Sequence, residues 1–148
     1  MVEFWVGRLP LPETMPPATV GNARRLDRVD TVCSLGRAWR NCLATYGGTI
    51  DAGTCAVYLW EDAKQSAACR INRHGRLGWF LDEVKGPRNS GVEPQQFALI
   101  GTAFADVGVP SSQVVRAIEK HHLRAERRSA PDGRRLVITA SLNLRGAY

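Results

Sequence analysis

An α+β fold is expected from three features of this chain. Apolar spacing switches from helical to alternating and back, glycine and proline punctuate the switches, and the composition suits one packed core. The specific expectation is an antiparallel three- to four-stranded meander packed with three to four helices, in a single domain. At 148 residues, folding removes roughly 68 to 70% of the unfolded chain's surface from water, which is enough for one core. Apolar residues at 44% and charged residues at 23% lie in the ordinary globular range.

Residues 1–19 contain Pro10, Pro12, Pro16 and Pro17, which fix φ and withhold backbone donors, so they read as an extended arm ahead of a domain over residues 20–148. Phe4, Trp5 and Val6 would tie the start of the arm to the domain, as an edge strand. From Ala23 to Tyr46, Leu26, Val29, Val32, Cys33, Leu35, Ala38, Trp39, Cys42 and Leu43 recur at helical spacing. Gly36 marks a break, giving one bent helix or two, and Gly47-Gly48 is the expected stop.

Three strands are expected at Thr54 to Trp60, Ala67 to Asn72 and Leu77 to Val84, joined by Glu61 to Gln65 and by the turn Arg73-His74-Gly75-Arg76. Alternation places Cys55, Val57 and Leu59 on one face and Ala56, Tyr58 and Trp60 on the other. Residues 85–93 form a loop, followed by a helix from Gln95 to Val107 with Phe97, Ile100 and Phe104 on one stripe. A further helix, capped by Ser111 or Ser112, is expected over Gln113 to Arg127. On it Arg116, Lys120, Arg124 and Arg127 fall within about 80° of one another, opposite Val114, Ile118, His121 and Ala125. Leu136 to Leu142 reads as a last strand.

The longest apolar run, Cys55 to Trp60, is far short of the roughly 20 residues needed to cross a bilayer, so no membrane partner is expected. The first residues lack the pattern of a secretory signal, which makes the cytoplasm the expected location. Cys33, Cys42, Cys55 and Cys69 lack paired Cys-x-x-Cys spacing and are expected to be reduced. The neighbours His121 and His122 diverge by about 100° on a helix, so no metal site is expected. Neither the nucleotide phosphate-binding loop nor the dinucleotide fingerprint is present, and no cofactor is expected. A net charge of +6 favours a polyanionic partner such as DNA or RNA.

Asn41-Cys42-Leu43-Ala44-Thr45-Tyr46, then a meander, then Glu83-Val84-Lys85-Gly86-Pro87-Arg88-Asn89 resembles the PcfJ-like family. That family pairs a helix ending in a His-Cys-Val-x-x-Tyr type motif with a strand and loop reading Gln-x-Arg-Gly-x-x-Asn. The resemblance spans residues 34–107 and singles out Cys42, Tyr46, Lys85, Gly86 and Asn89. Asn41 stands where the family usually has histidine, and Glu83 where it usually has glutamine. It implies a protein of conjugative plasmids, phages or other mobile elements.

Three functional readings follow. In the first, a mobile-element accessory protein binds nucleic acid or a nucleoprotein complex through Arg116, Lys120, Arg124 and Arg127, with Lys85 and Arg88 as a second site. Tyr58, Trp60 and Phe80 would stack bases if exposed. In the second, a small enzyme uses Cys42, Tyr46, Glu83, Lys85 and Asn89, with Glu83 and Lys85 two apart on one strand face as an acid/base pair. Gly86 and Asn89 would shape a ligand-contacting loop there. In the third, an interaction module or inhibitor of a host complex docks on a protein partner through residues 1–19. Whether the protein is an enzyme stays open at this level.

Overall fold

The computed structural model describes residues 9–10, 15–74, 78–120, 124–130 and 133–139. The chain is α+β. Its main sheet has five antiparallel strands: β2 (Thr19–Val20), β3 (Ala23–Arg25), β4 (Cys55–Glu61), β5 (Ser66–His74) and β6 (Gly78–Lys85), paired in that order. The last three are the expected meander. The first two were not anticipated, although Gly21-Asn22 between them is a tight-turn dipeptide and Gly21 takes φ +55°. Strand pairing therefore overrides the helical spacing read from Ala23 onward. A second sheet joins β1 (Leu9–Pro10), β7 (Arg124–Ala130) and β8 (Gly133–Thr139), with β8 in the middle. Phe4, Trp5 and Val6 lie outside the described residues. The end of the arm is fastened where Tyr58 Oη donates to Pro17 O (2.8 Å) and Arg25 Nη1 to Pro16 O (2.9 Å).

Helix α1 is shorter than the periodicity suggests, running Val29–Trp39. It ends where Arg40 adopts the left-handed conformation (φ 50°) and the Asn41 amide bonds back to Gly36 O (3.0 Å), the six-to-one closure of a Schellman motif. The chain then makes a 3-10 turn at Cys42–Thr45 and a short helix α2 at Gly47–Asp51. Gly47 thus opens a helix instead of ending one. Gly36 is not a break: it sits inside α1 and lets the turn lie against the helix, since a Cβ there would be 2.3 Å from Ala44 N and 2.9 Å from the Leu43 carbonyl carbon.

Both faces of the sheet are covered, and the alternation expected for β4 holds. Ala56, Tyr58 and Trp60 join Ile71, Ile100 and Phe104 in the larger cluster, with the Tyr58 and Phe104 rings edge to face at 5.3 Å. Val57 and Leu59 join Leu26, Val32, Leu43 and Ala68 in a smaller one, flanked by Trp39 and Tyr46. Each large side chain so buried contributes about 1.5 to 3 kcal/mol. Helix α3 (Pro94–Asp106) faces the first cluster through Gln96, Ile100 and Phe104. Phe97 is exposed, contrary to expectation, because the Asp62 carboxylate accepts the Gln96 amide and draws that residue inward. Asp62 also accepts from Trp60 Nε1 (2.8 Å) and from the amides of Lys64 and Gln65, closing the β4–β5 turn.

Helix α4 covers only Ser112–Lys120, with Ser111 Oγ accepting from the Val114 amide (3.4 Å). Arg124 and Arg127 belong to strand β7, where they pair with Thr139 and Leu136. The helical spacing that would have gathered Arg116, Lys120, Arg124 and Arg127 into one stripe therefore does not exist, because the chain leaves the helix before Arg124.

Candidate active site

On the side of the sheet carrying the smaller cluster, the register sets Ala68 opposite Lys85 and Arg70 opposite Glu83. The next pair is Ile71 with Leu81, so Asp82 is an extra residue, a bulge in β6. In a regular strand Asp82 and Glu83 would point to opposite faces. With the bulge, both reach Arg70: Nη2 lies 2.5 Å from Asp82 Oδ2 and 3.3 Å from Glu83 Oε2. Asn72 Nδ2 also donates to Asp82 Oδ2 (2.8 Å).

Across from these strands stands the 3-10 turn. Asn41, extended at its N-cap, accepts the Leu43 amide on Oδ1 (3.1 Å) and starts the turn. One turn later Tyr46 Oη comes back to Cys42 Sγ (3.0 Å) and stands 3.4 Å from Glu83 Oε2. The Arg70 guanidinium lies over the Tyr46 ring, 4.5 Å from its centre. From the third side, Asn89 Oδ1 accepts the Cys42 amide (3.3 Å) and lies 3.4 Å from Cys42 Sγ. Arg88 and Asn89 are both left-handed (φ 57°), a conformation asparagine tolerates and arginine resists.

The result is a small cleft lined by Asn41, Cys42, Tyr46, Arg70, Glu83 and Lys85, floored by Leu43 and Ala68. Its free centre of about 10 Å³ admits one water-sized group. Burial, then the contact with Cys42, raises the Tyr46 pKa well above that of a free phenol; Glu83 adds to this and Arg70 opposes it. For Arg70, burial works against the charge, but Tyr46, Asp82 and Glu83 outweigh it and the net shift is upward. The cleft thus holds a permanent cation, a protonated phenol and a half-buried thiol in one chain of contacts.

Cys42, Tyr46, Glu83, Lys85 and Asn89, proposed together from sequence, do meet. Gly86 is close by but differently used: its amide donates to Ser90 O (2.8 Å), so it serves the loop, and a Cβ there would stand 2.6 Å from Ser90 Oγ. Asn89 reaches out of that loop and caps the turn at Cys42. Arg88 is exposed. Arg116 and Lys120 are exposed on α4; the side chains of Arg124 and Arg127 lie outside the described residues. Base stacking on the meander is overturned for two of its rings, since Tyr58 and Trp60 are 0% and 2% exposed beneath α3. Sequence reasoning missed Arg70 and Asp82. A lone charge inside the run Ala67-Ala68-Cys69-Arg70-Ile71 was the available signal for Arg70.

Among the described residues no helix is long and apolar enough to cross a membrane. Comparison with family models, with curated proteins and with solved structures finds no match to this chain.

Proposed function

We propose that this protein is a small thiol enzyme in which Cys42 is the nucleophile and Glu83 receives its proton through the Tyr46 hydroxyl. The observation that carries the reading is the position of that hydroxyl, 3.0 Å from Cys42 Sγ and 3.4 Å from Glu83 Oε2. A thiol becomes an effective nucleophile beside a proton acceptor or a positive charge. The cleft offers both, with Glu83 beyond the phenol and Arg70 and Lys85 on its wall. Because burial and the Cys42 contact keep the phenol protonated, Tyr46 relays by releasing one proton as it accepts another. Asn41 in the place of the family's histidine then leaves the sulfur with a base, supplied from β6. The PcfJ-like resemblance supports placing such an enzyme among the accessory proteins of a mobile element.

Iodoacetamide labelling followed by peptide mass spectrometry tests this, with Cys33 as the internal reference for a half-buried thiol. Cys42 is expected to react faster than Cys33, and Tyr46→Phe and Glu83→Gln to slow it by roughly 100-fold. Labelling of Cys42 at the Cys33 rate, unchanged in both variants, would reject the reading.

A second reading, nucleic-acid binding, is supported by the net charge of +6 and by Arg116 and Lys120, exposed one turn apart on α4. Fluorescence anisotropy with labelled DNA and RNA across a salt series decides it. Binding that falls steeply with salt and weakens in an Arg116→Ala/Lys120→Ala variant supports it, and no binding at low salt removes it.

A further inference from the structure

Asn41 is 9% exposed, and its orientation is fixed because Oδ1 must face the Leu43 amide. Its Nδ2 is therefore the free end, and it finds no acceptor. Arg70 Nε is in the same position: Nη2 is engaged by Asp82 and Glu83, while Nε is buried and unpartnered. Among the described residues these are the only two buried side-chain polar atoms left without a partner, and both residues line the cleft beside Cys42. A buried donor without an acceptor costs about 1 to 3 kcal/mol, so two in one cleft call for a physical reason. Both are donors, which means the cleft matches an acceptor and not a cation or an apolar group. Its free centre admits a single water-sized group, so only the tip of a ligand enters.

We infer that Asn41 Nδ2 and Arg70 Nε form a cradle for one substrate oxygen, and that the substrate is an acyl compound (ester, thioester or amide) whose carbonyl oxygen occupies it. The inference rests on the thiol reading above and adds the substrate class. Cys42 Sγ forms a bond to the carbonyl carbon, and the π pair moves onto the oxygen held by the two donors. The thiol proton passes to Tyr46 Oη as the phenol proton passes to Glu83. When the carbonyl re-forms, the leaving group departs with that proton, returned by the same route. Water then cleaves the thioester on Cys42, releasing a carboxylic acid and restoring the thiol.

Two probes separate this cradle from the thiol itself. Iodoacetamide alkylates sulfur by displacing iodide and builds no oxyanion, whereas p-nitrophenyl acetate acylates it through one. In the wild-type protein the acetyl group is expected on Cys42 in preference to Cys33. Asn41→Ser keeps a good N-cap residue for the turn but removes the amide donor. It should lower acylation by about 100-fold and alkylation of Cys42 far less; Asn41→Thr, also an N-cap residue and uncharged, serves if the serine variant does not fold. Selective alkylation of Cys42 without selective acylation in the wild type overturns the cradle and spares the thiol reading, as does equal acylation in a folded Asn41 variant. Loss of selectivity with both probes overturns the two together.

Discussion

Asn89 Oδ1 and the Cys42 amide, 47 positions apart in the chain, meet at 3.3 Å, and the same oxygen stands 3.4 Å from the Cys42 sulfur. One side chain from the loop after β6 thus caps the turn that carries the thiol. Asn89→Gly keeps a residue that accepts the left-handed backbone and loses only the cap, at about 1 kcal/mol; Asn89→Ala adds backbone strain of roughly another 1 to 2 kcal/mol. Urea denaturation should rank them wild type, glycine, alanine. Equal stability of the glycine and wild-type proteins would mean that the contact contributes nothing.

Gly36→Ala tests the close approach of α1 to the turn. The obstacle is backbone, at 2.3 Å from the added carbon, so no side-chain rotation relieves it. The loss is expected to reach about 3 kcal/mol, the upper range for overpacking. Gly86→Ala meets instead the hydroxyl of Ser90 at 2.6 Å, and most of its smaller cost should disappear in a Gly86→Ala/Ser90→Ala double variant. The four denaturation curves, read as a cycle, give the answer.

Removing the charge at Arg70 leaves Asp82 and Glu83 facing each other across a partly buried bulge. Arg70→Met, similar in length, is expected to cost roughly 3 kcal/mol, the range for breaking a buried ion pair from one side. Adding Asp82→Asn should restore part of that, which thermal melts of the single and double variants would reveal.

Alkali should weaken the fold. Burial pushes the Cys69 thiol up to about 12 from an ordinary value of 9.0, and burial likewise raises Cys55, Tyr46 and Tyr58. A group whose folded pKa is raised stabilises the fold fully below its unfolded pKa and loses that contribution as pH climbs through the folded one. For Cys69 the loss begins near pH 9 and runs to about 12, at about 1.4 kcal/mol per pH unit. Urea midpoints measured between pH 8 and pH 10.5 should fall, and less steeply in Cys69→Ala.

The meander was legible because alternation is local: Val57 and Leu59 against Tyr58 and Trp60 reads directly as two faces. So was the grouping of Cys42 with Tyr46, and of Glu83 with Lys85, since short spacings fix which side chains share a face. Three features were not legible. The end of α1 depends on Arg40 accepting a conformation that glycine usually takes, which no glycine signals. The bulge at Asp82 shows only in the pairing with β5, and it is what gives Arg70 two carboxylates. The boundary between α4 and β7 falls in a stretch, Lys120 to Arg124, whose apolar spacing continues a helical pattern while its partner strand lies 15 residues further along at Thr139.

Strand β4 lies between two apolar clusters that share it but occupy opposite sides. The smaller cluster is closed by α1, the 3-10 turn and α2, the elements that hold Cys42 and Tyr46, whereas α3 closes only the larger. The protein therefore has a natural seam. The thiol-bearing layer is expected to lift away from the sheet as a cooperative unit while the Tyr58–Phe104 side stays intact. Amide deuterium exchange would register this as two tiers, with α1 and the turn exchanging ahead of β4, β5 and α3.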